Sequence, residues 1–156
     1  MEQNPYAPPE AGELSTEENS LEYAGFWIRV VASIIDSVLI LLVTMPLLLW
    51  IYGMAYLEST ALIAGTWDFL ISWVMPAVAV IIFWIYRSAT PGKMIVRAKI
   101  VDTKTGGKPS TGQLIGRYFG YYVSMIPLFL GFIWVAFDKR KQGWHDKLAG
   151  TVVVRC

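Results

Sequence analysis

The sequence predicts an all-α membrane protein with two transmembrane helices, a third broken hydrophobic segment and a small cytoplasmic β-element. Apolar residues make up 55% of the 156 residues and charged residues only 16%, against roughly 25% charged in a typical soluble domain. Three runs contain no Asp, Glu, Lys or Arg, namely residues 37–57, 69–86 and 118–137. Because about 20 apolar residues span the bilayer core as a helix, each run is long enough to cross.

An acidic tail precedes the first of these runs. Residues 1–22 contain six glutamates, three prolines and no Lys or Arg. Such a segment cannot bury enough apolar surface to fold by itself. We therefore expect two parts, a disordered tail over residues 1–22 and a membrane domain over residues 23–156.

Aromatic residues mark the ends of the first two helices. The first helix is predicted to begin near Phe26 and to end near Tyr52. The second is predicted to run from about Trp67 to Tyr86. Trp and Tyr side chains are enriched where a helix leaves the hydrocarbon core, and this placement agrees with two full crossings.

The connection over residues 87–113 differs from the rest of the chain, with six basic residues and one acid. Within the predicted strand over residues 95–101, residues 96–100 alternate between apolar and basic side chains, which is the period of a half-buried strand. The β-branched run at residues 151–154 is the expected pairing partner. Ser110 and Gln113 have the spacing of a capping box, which predicts that the third helix begins there.

The charges also predict the topology. Short basic loops stay in the cytoplasm, so the base-free loop 53–66 is expected outside and both termini inside. Residues 138–156 contain five bases, yet a full third crossing would place them outside. Pro127 at the middle of the third run favours two half-helices that dip into the membrane and return. A single span with an external C-terminus is the alternative.

Two charges interrupt the first helix on one face, Arg29 and Asp36. Asp36 lies ten residues after Phe26, about 15 Å at 1.5 Å per residue, near the middle of a core about 30 Å thick. A charge there is unfavourable unless it is paired, protonated or hydrated. Asp36 is either a cation- or proton-binding carboxylate in a polar cavity or a structural acid paired with Arg29 or Arg117. We favour the second slightly, and in both cases expect coupling to an arginine.

The remaining polar residues give little support to catalysis or metal binding. His145 is the single histidine, whereas zinc needs three or four ligands, and no Gly-x-Ser-x-Gly elbow is present. We therefore expect no enzyme activity, no cofactor and no metal, and a role for His145 as a polar anchor of the cytoplasmic tail. Asp68 is expected to be solvated near an interface. The basic loops are expected to contact anionic lipid and not nucleic acid.

Seven stretches carry a resemblance to a known family, namely residues 24–29, 32–36, 90–93, 101–102, 112–117, 137–138 and 145–151. In this order they resemble the RDD family of bacterial membrane proteins, which is named for one arginine and two aspartates. The resemblance covers about residues 23–155 and implies that Arg29 is the family arginine and Asp36 the first aspartate. Asp138 and Asp146 are candidates for the second, and we prefer Asp146 because its surroundings form the longer match.

The resemblance implies a multi-pass protein of the bacterial cytoplasmic (inner) membrane, and some relatives are described as cation/proton antiporters. One hypothesis is therefore a small-solute or cation/proton transport protein, expected to be a homo-oligomer because two or three helices rarely enclose a polar path. The alternative is a non-transporting structural or accessory protein that binds lipid or a membrane partner protein. A hydrated cavity touching Asp36 would favour transport, and a saturated Arg–Asp pair would favour the structural role.

Overall fold

The computed structural model of the chain describes residues 22–156, and helices dominate this part. In chain order the helices are α1 (Phe26–Tyr52), α2 (Ala55–Glu58), α3 (Thr66–Arg87), α4 (Pro91–Ile95), α5 (Thr111–Met125), α6 (Leu130–Phe137) and α7 (Trp144–Ala149). Two strands are present in the described part, β1 (Ala98–Asp102) and β2 (Thr151–Arg155). Apart from Glu22, the predicted disordered tail over residues 1–22 lies outside the described residues.

Helices α1 and α3 are long and apolar enough to cross a membrane. They contain 27 and 22 residues, and an 18-residue stretch of each has a mean hydropathy of 2.4 and 2.2, respectively. Only 11% and 6% of the residues in these stretches are buried inside the protein. Helices that are apolar on all sides and yet not buried by their own chain need lipid around them. The two predicted transmembrane helices are confirmed, with ends within about one residue of those expected.

Helix α3 contains one irregular turn that the sequence pattern did not predict. Residues Leu70–Val74 form a π-helical turn between two α-helical parts, and Pro76 lies just beyond it. Proline has no backbone N–H and its ring crowds the preceding turn. The regular hydrogen-bond ladder is therefore interrupted just before Pro76, and the wider π turn is one way to accommodate this.

The third hydrophobic segment is broken, as predicted. Helices α5 and α6 are bent by 100° relative to each other, and Pro127 lies in the connection. The two residues after it, Leu128 and Phe129, have positive φ angles of 52° and 62°. This left-handed conformation is unfavourable for residues with a Cβ and cannot continue a right-handed helix.

Helix α5 begins with the predicted capping box. The backbone N–H of Gln113 donates to Ser110 Oγ over 3.3 Å, and the Ser110 N–H donates to Gln113 Oε1 over 2.8 Å. Both groups belong to the first turn of a helix, where backbone donors have no intrahelical acceptor. The cap therefore fixes the residue at which α5 starts.

Strands β1 and β2 pair antiparallel, with Ala98 opposite Arg155 and Asp102 opposite Thr151. The predicted pairing is thus confirmed, although β1 starts at Ala98 and not at residue 95. Residues 91–95 form α4, and Arg97 has a positive φ of 54° that turns the chain before the strand begins.

The segment before α1 joins the same sheet. The Ala24 N–H donates to the Val153 carbonyl over 2.9 Å, and the Arg155 N–H donates to the Glu22 carbonyl over 2.8 Å. The start of α1, the connection after α3 and the end of the chain therefore meet at one end of the molecule. Since the connection from β1 leads into α5 and α6 leads back to β2, the bent α5–α6 segment begins and ends at that same end.

The main apolar core lies where this sheet packs against the helices. Ile100 and Val153 of the sheet, Leu114 of α5 and Trp84 of α3 are all buried there. This core fixes the end of α3 against the start of α5. It also positions the charged residues of α1, α5 and α7.

Candidate functional site

A buried carboxylate with two arginines lies beside this core. Asp146 in α7 has no solvent-exposed surface, and its carboxylate forms ion pairs with Arg29 of α1 and Arg117 of α5. Burial raises the pKa of the Asp146 carboxyl, but Arg117 and then Arg29 lower it by more. The net result is a pKa below its ordinary value, so Asp146 is ionised at neutral pH.

The start of α7 holds Asp146 in position. Asp146 Oδ2 accepts the backbone N–H of Gly143 over 3.0 Å, which closes the first turn of this helix. Helix α7 also lies very close to α5, because a Cβ added at Gly120 would be 2.9 Å from the Cα of His145. Glycine at position 120 therefore allows the close approach that brings Asp146 within reach of Arg117.

The two arginines also bind further groups, although the Nε of Arg117 is buried without an acceptor. Arg29 donates to the carbonyls of Ala24 and Lys141, and Arg117 donates to Thr151 Oγ1 over 2.8 Å. The cluster of Arg29, Arg117 and Asp146 thereby connects α1, α5, α7 and β2. A buried pair surrounded by additional hydrogen bonds in this way resists opening.

Asp36 is not part of that cluster, and the prediction that it pairs with Arg29 or Arg117 is wrong. Its two carboxylate oxygens accept the hydroxyl of Thr90 over 2.5 Å and the backbone N–H of Gly92 over 2.7 Å. Both arginines are already bound to Asp146. The donors to Asp36 come instead from the connection after α3, which packs against α1.

Gly92 makes this contact possible. A Cβ at position 92 would lie 2.1 Å from the carbonyl oxygen of Ala32 and 2.8 Å from Cγ of Asp36. Contacts this short are not tolerated between real atoms, so any side chain would push α4 away from α1. The close packing places the Gly92 N–H directly against the carboxylate.

The contact bears on the predicted depth of Asp36. Asp36 lies level with Thr90, three residues beyond the end of α3 at Arg87. The predicted depth assumes that the core begins at Phe26. At 1.5 Å per residue the 27 residues of α1 are about 40 Å long, more than the roughly 30 Å core, so the depth of Asp36 depends on where along α1 the core begins.

A cavity of about 900 Å³ opens beside Asp36 between α1, α3, α5 and α6. Its volume is at the upper end of the roughly 300–1,000 Å³ typical of ligand sites. Most of the lining is apolar and aromatic. Polar and charged side chains also line it, including Arg29, Ser33, Asp36, Thr90, Lys93 and His145.

Lys93 is the feature of this cavity that sequence reasoning missed. It is only 9% exposed, and burial lowers the pKa of its ammonium group. The ion pairs found among residues 22–156 do not include it. Its Nζ lies 5.8 Å from the centre of the Trp84 ring. Residues 90–93 belong to the stretches that carry the family resemblance, but in the sequence Lys93 is one of six bases in a basic connection, and its burial is not visible there.

His145 lies between this cavity and the arginine cluster. Its Nδ1 is 3.3 Å from Ser124 Oγ, and its backbone N–H donates to the same oxygen over 3.2 Å. Burial, opposed by Asp146 and reinforced by Arg117, lowers the pKa of His145 to about 3. The ring is therefore neutral at pH 7 and joins α7 to α5. Within residues 22–156 no group of three or more His, Cys, Asp or Glu side chains could hold a metal ion.

Asp138 and Asp68 lie away from the cavity. Asp138 forms an ion pair with Lys147 and accepts the backbone N–H of Gln142 over 3.1 Å. Asp68, at the opposite end of α3, was expected to be solvated, but it is only 3% exposed. The structure surrounds it with three donors, namely the hydroxyls of Tyr56 and Ser72 and the backbone N–H of Ala64, at 2.8 to 2.9 Å.

The charges at the polar end of the cavity do not cancel. Arg29, Lys93 and Asp36 line the cavity, and Arg117 and Asp146 lie beside it, bound to each other and to Arg29. With every group in its ordinary ionised form, these three cations and two carboxylates have a net charge of +1. The carboxylates are occupied by donors from the protein. The site can therefore offer a buried ammonium group to a ligand, next to a large apolar surface.

Comparison with known proteins agrees with these helices and motifs. The chain matches the RDD family model over residues 23–150. It is 30% identical to the uncharacterized membrane protein YteJ of Bacillus subtilis (strain 168), over 99% of this chain and 92% of YteJ. It is also 30% identical to the uncharacterized protein YxaI of the same organism, over 84% of this chain and 96% of YxaI.

A shorter match is found with the uncharacterized protein RP437 of Rickettsia prowazekii (strain Madrid E). It is 41% identical over 75 residues, which cover 48% of this chain and 41% of RP437, so the chain spans less than half the length of that relative. No solved structure matches the chain significantly. The family model covers most of the chain and includes Arg29, Asp36, Lys93, Arg117 and Asp146; the chain belongs to the RDD family of membrane proteins.

Proposed function

We propose that this RDD-family protein transports a small solute across the membrane and that the cavity between α1, α3, α5 and α6 is its binding chamber. The observation in favour of this is the cavity of about 900 Å³ that Asp36 and Lys93 both line. Buried charged groups at the end of a membrane helix are unfavourable. Binding of a polar solute would explain why Asp36 and Lys93 face the same cavity.

The surroundings of the charged groups favour a small solute over cation/proton exchange. A cation or proton site needs a carboxylate with free oxygen lone pairs. Asp146 is paired with two arginines, and each oxygen of Asp36 uses one of its two lone pairs to accept a hydrogen bond from Thr90 or Gly92, which leaves fewer for a cation or proton. Lys93, in contrast, has no carboxylate partner among the described residues.

We further propose that the protein lies in the cytoplasmic membrane of a bacterium with both termini in the cytoplasm. The pairing of β1 with β2 supports this topology, because two paired strands must lie on the same side of the membrane. With α1 and α3 crossing fully, the α5–α6 segment then re-enters and does not span. The exposed bases near this sheet, among them Arg97, Lys99 and Lys104, are placed to contact anionic lipid headgroups on the cytoplasmic side.

A complete transport path requires more than one chain. Two crossings and one re-entrant segment leave the cavity open toward the surrounding membrane, so we propose a homo-oligomer whose neighbouring chain closes it. Large apolar side chains on the exposed surface of α1 and α3 offer a contact surface for a second copy, including Ile34, Leu42, Trp73 and Val78.

One observation favours the second candidate, a structural or accessory membrane protein. The cluster of Arg29, Arg117 and Asp146 is buried, pairs its charges and connects four elements, as expected for a purely stabilising ion pair. The cluster's central carboxylate and the cavity's Lys93 are different groups, however. The cluster therefore explains how the fold is held together and leaves the cavity available for a solute.

Flux through the purified full-length chain in proteoliposomes tests the proposal. Internal pyranine reports proton movement driven by sodium or potassium gradients, and isotope uptake reports phosphate and glutamate. We expect flux of at least one solute above that of empty liposomes, reduced at least tenfold by Lys93→Met and by Asp36→Asn. Lys99→Met and Asp102→Asn, which change residues of β1 outside the cavity, are the matched controls. Flux that all four variants leave unchanged would contradict a role for this cavity.

A further inference from the structure

Lys93 lines the cavity and forms no ion pair with a carboxylate of the described residues. It is more than nine-tenths buried. The indole N–H of Trp84, whose ring is 5.8 Å from Lys93 Nζ, is also buried without an acceptor. Two donors on one cavity wall thus lack acceptors from the described part of the chain.

Buried donors without acceptors are costly, and a buried unpaired charge is more so. An oxyanion would provide acceptors for both groups. The charge balance agrees, since Arg29, Arg117 and Lys93 in their ordinary ionised forms exceed Asp36 and Asp146 by one positive charge. Asp36 also lines the cavity, but its carboxylate is held by hydrogen bonds with Thr90 and Gly92 and forms no ion pair with Lys93.

The apolar walls of the cavity indicate that the ligand carries more than an oxyanion. Beyond the polar end, these walls are built from aliphatic and aromatic side chains of four helices, including Ile34, Val38, Val80, Met125, Phe129 and Ile133. A bare anion such as phosphate would leave most of the 900 Å³ unfilled. An alkyl chain would instead remain in contact with apolar surface along its length, which is favourable.

We propose that the cavity binds a single-chain amphiphile whose oxyanion head, a carboxylate or a phosphate monoester, pairs with Lys93 and whose alkyl chain lies along α1, α3 and α6. This inference rests on the proposed function in that it uses the same cavity and names the class of solute. It differs from contact between lipid and the exposed basic loops, because the head is buried against one lysine. We expect the amphiphile to enter from the surrounding bilayer.

Thermal unfolding of the full-length chain in phosphatidylcholine nanodiscs tests the proposal with four probes. Oleyl phosphate and oleate have both parts of the ligand, oleyl alcohol has only the chain, and inorganic phosphate has only the anion. At about 100 times its Kd, a ligand specific for the folded state is expected to raise Tm by roughly 5–10 °C for a protein of this size. We expect that shift with one or both of the first two probes, and less than a third of it with oleyl alcohol or phosphate.

Substitutions at one position then locate the head. Lys93→Met is expected to abolish the shift without lowering the Tm of the ligand-free protein, because it removes a buried unpaired charge. Lys93→Arg should keep at least half of the shift, and Lys99→Met, which removes an exposed lysine, should keep all of it.

Two results would overturn the proposal. The first is an equal shift with oleyl alcohol and oleyl phosphate in the unaltered protein, which means that the cavity selects only an apolar chain. The second is the absence of a shift with either anionic amphiphile. Both are measured on the unaltered chain, so they do not depend on whether a variant folds. Amphiphile binding without any flux in proteoliposomes would refute the proposed transport but support the amphiphile site. Flux of another solute without amphiphile binding would support transport and refute the amphiphile site.

Discussion

Arg29 and Asp146, 117 residues apart in the sequence, form an ion pair inside the fold, and Arg117 binds the same carboxylate. The pair connects the first transmembrane helix to the segment near the end of the chain. Its partners come from helices that the sheet formed by β1, β2 and residues 22–24 holds at one end of the molecule. The charges that interrupt the apolar sequence thus serve two separate sites, the arginine cluster and the cavity.

Removing the central carboxylate should destabilise the protein strongly. Asp146→Asn leaves the buried guanidinium groups of Arg29 and Arg117 without a counter-ion, and breaking a buried pair in this way costs about 3–5 kcal/mol. Asp138→Asn is the control, because its ion pair with Lys147 is partly exposed and should contribute about 1 kcal/mol or less. Unfolding of both variants in a mild detergent measures the difference, and equal losses would contradict the central role of Asp146.

A double-mutant cycle separates the partners of Asp36. We expect Asp36→Asn and Thr90→Val to be coupled by about 1–3 kcal/mol, the range for a hydrogen bond to a charged group. The cycle of Asp36→Asn with Arg29→Gln should give less than about 0.5 kcal/mol, as for residues without direct contact. Stronger coupling to Arg29 than to Thr90 would show that the observed contacts of Asp36 are incorrect.

Gly92 and Gly116 provide a matched comparison of two glycines. Gly92→Ala should be strongly destabilising, because the new Cβ would meet the Ala32 carbonyl at 2.1 Å and separate α4 from α1. Gly116→Ala, in the interior of α5 with nothing within 4 Å of the new Cβ, should stabilise the helix by roughly 0.5–1 kcal/mol. The two thermal unfolding midpoints should therefore move in opposite directions. A neutral Gly92→Ala would refute the close packing.

The buried histidine makes stability depend on pH. The pKa of His145 is about 3 in the folded protein and about 6.5 in an unfolded chain, so the unfolded state takes up the proton first. The contribution of the neutral His145 to the free energy of unfolding is complete above about pH 6.5 and is lost as the pH falls from there toward 3. Between pH 7.5 and 5 we expect a loss of about 2 kcal/mol.

His145→Gln should flatten that part of the pH profile, since glutamine does not titrate. The measurement is the free energy of unfolding at several pH values for both proteins. The depressed pKa of Asp146 acts only below its ordinary value near 4 and does not interfere above pH 5. A profile that is unchanged in the variant would assign the pH dependence to another group.

Much of the fold could be predicted because the signals were local. The two spanning helices follow from runs without charge, the start of α5 from the spacing of Ser110 and Gln113, and the bend from Pro127. The pairing of β1 with β2 followed from alternation and β-branching. The π turn before Pro76 was missed because the sequence shows only the proline and not how the ladder adjusts.

The site was harder to predict because its contacts join distant residues. Arg29 and Asp36 share a helical face, which suggested a mutual pairing, but each found a partner in another element. The sequence positions of Asp146 and Thr90 do not reveal that Asp146 pairs with Arg29 or that Thr90 binds Asp36. Lys93 was hidden among exposed bases, and Asp68 is buried by a loop whose folding the sequence pattern did not predict.

Accessibility of two cysteines tests most directly the claim that the sheet, the charged cluster and the polar end of the cavity share the cytoplasmic side. Cys156 is exposed beside β2, and Ser59 is exposed in the connection between α1 and α3. An impermeant maleimide added to intact cells should label Ser59→Cys in a Cys156→Ser background and leave native Cys156 unlabelled until the membrane is opened. Labelling of both Ser59→Cys and Cys156 from outside would place the end of the chain across the membrane from β1, which contradicts the re-entrant α5–α6 segment and the account of the site built upon it.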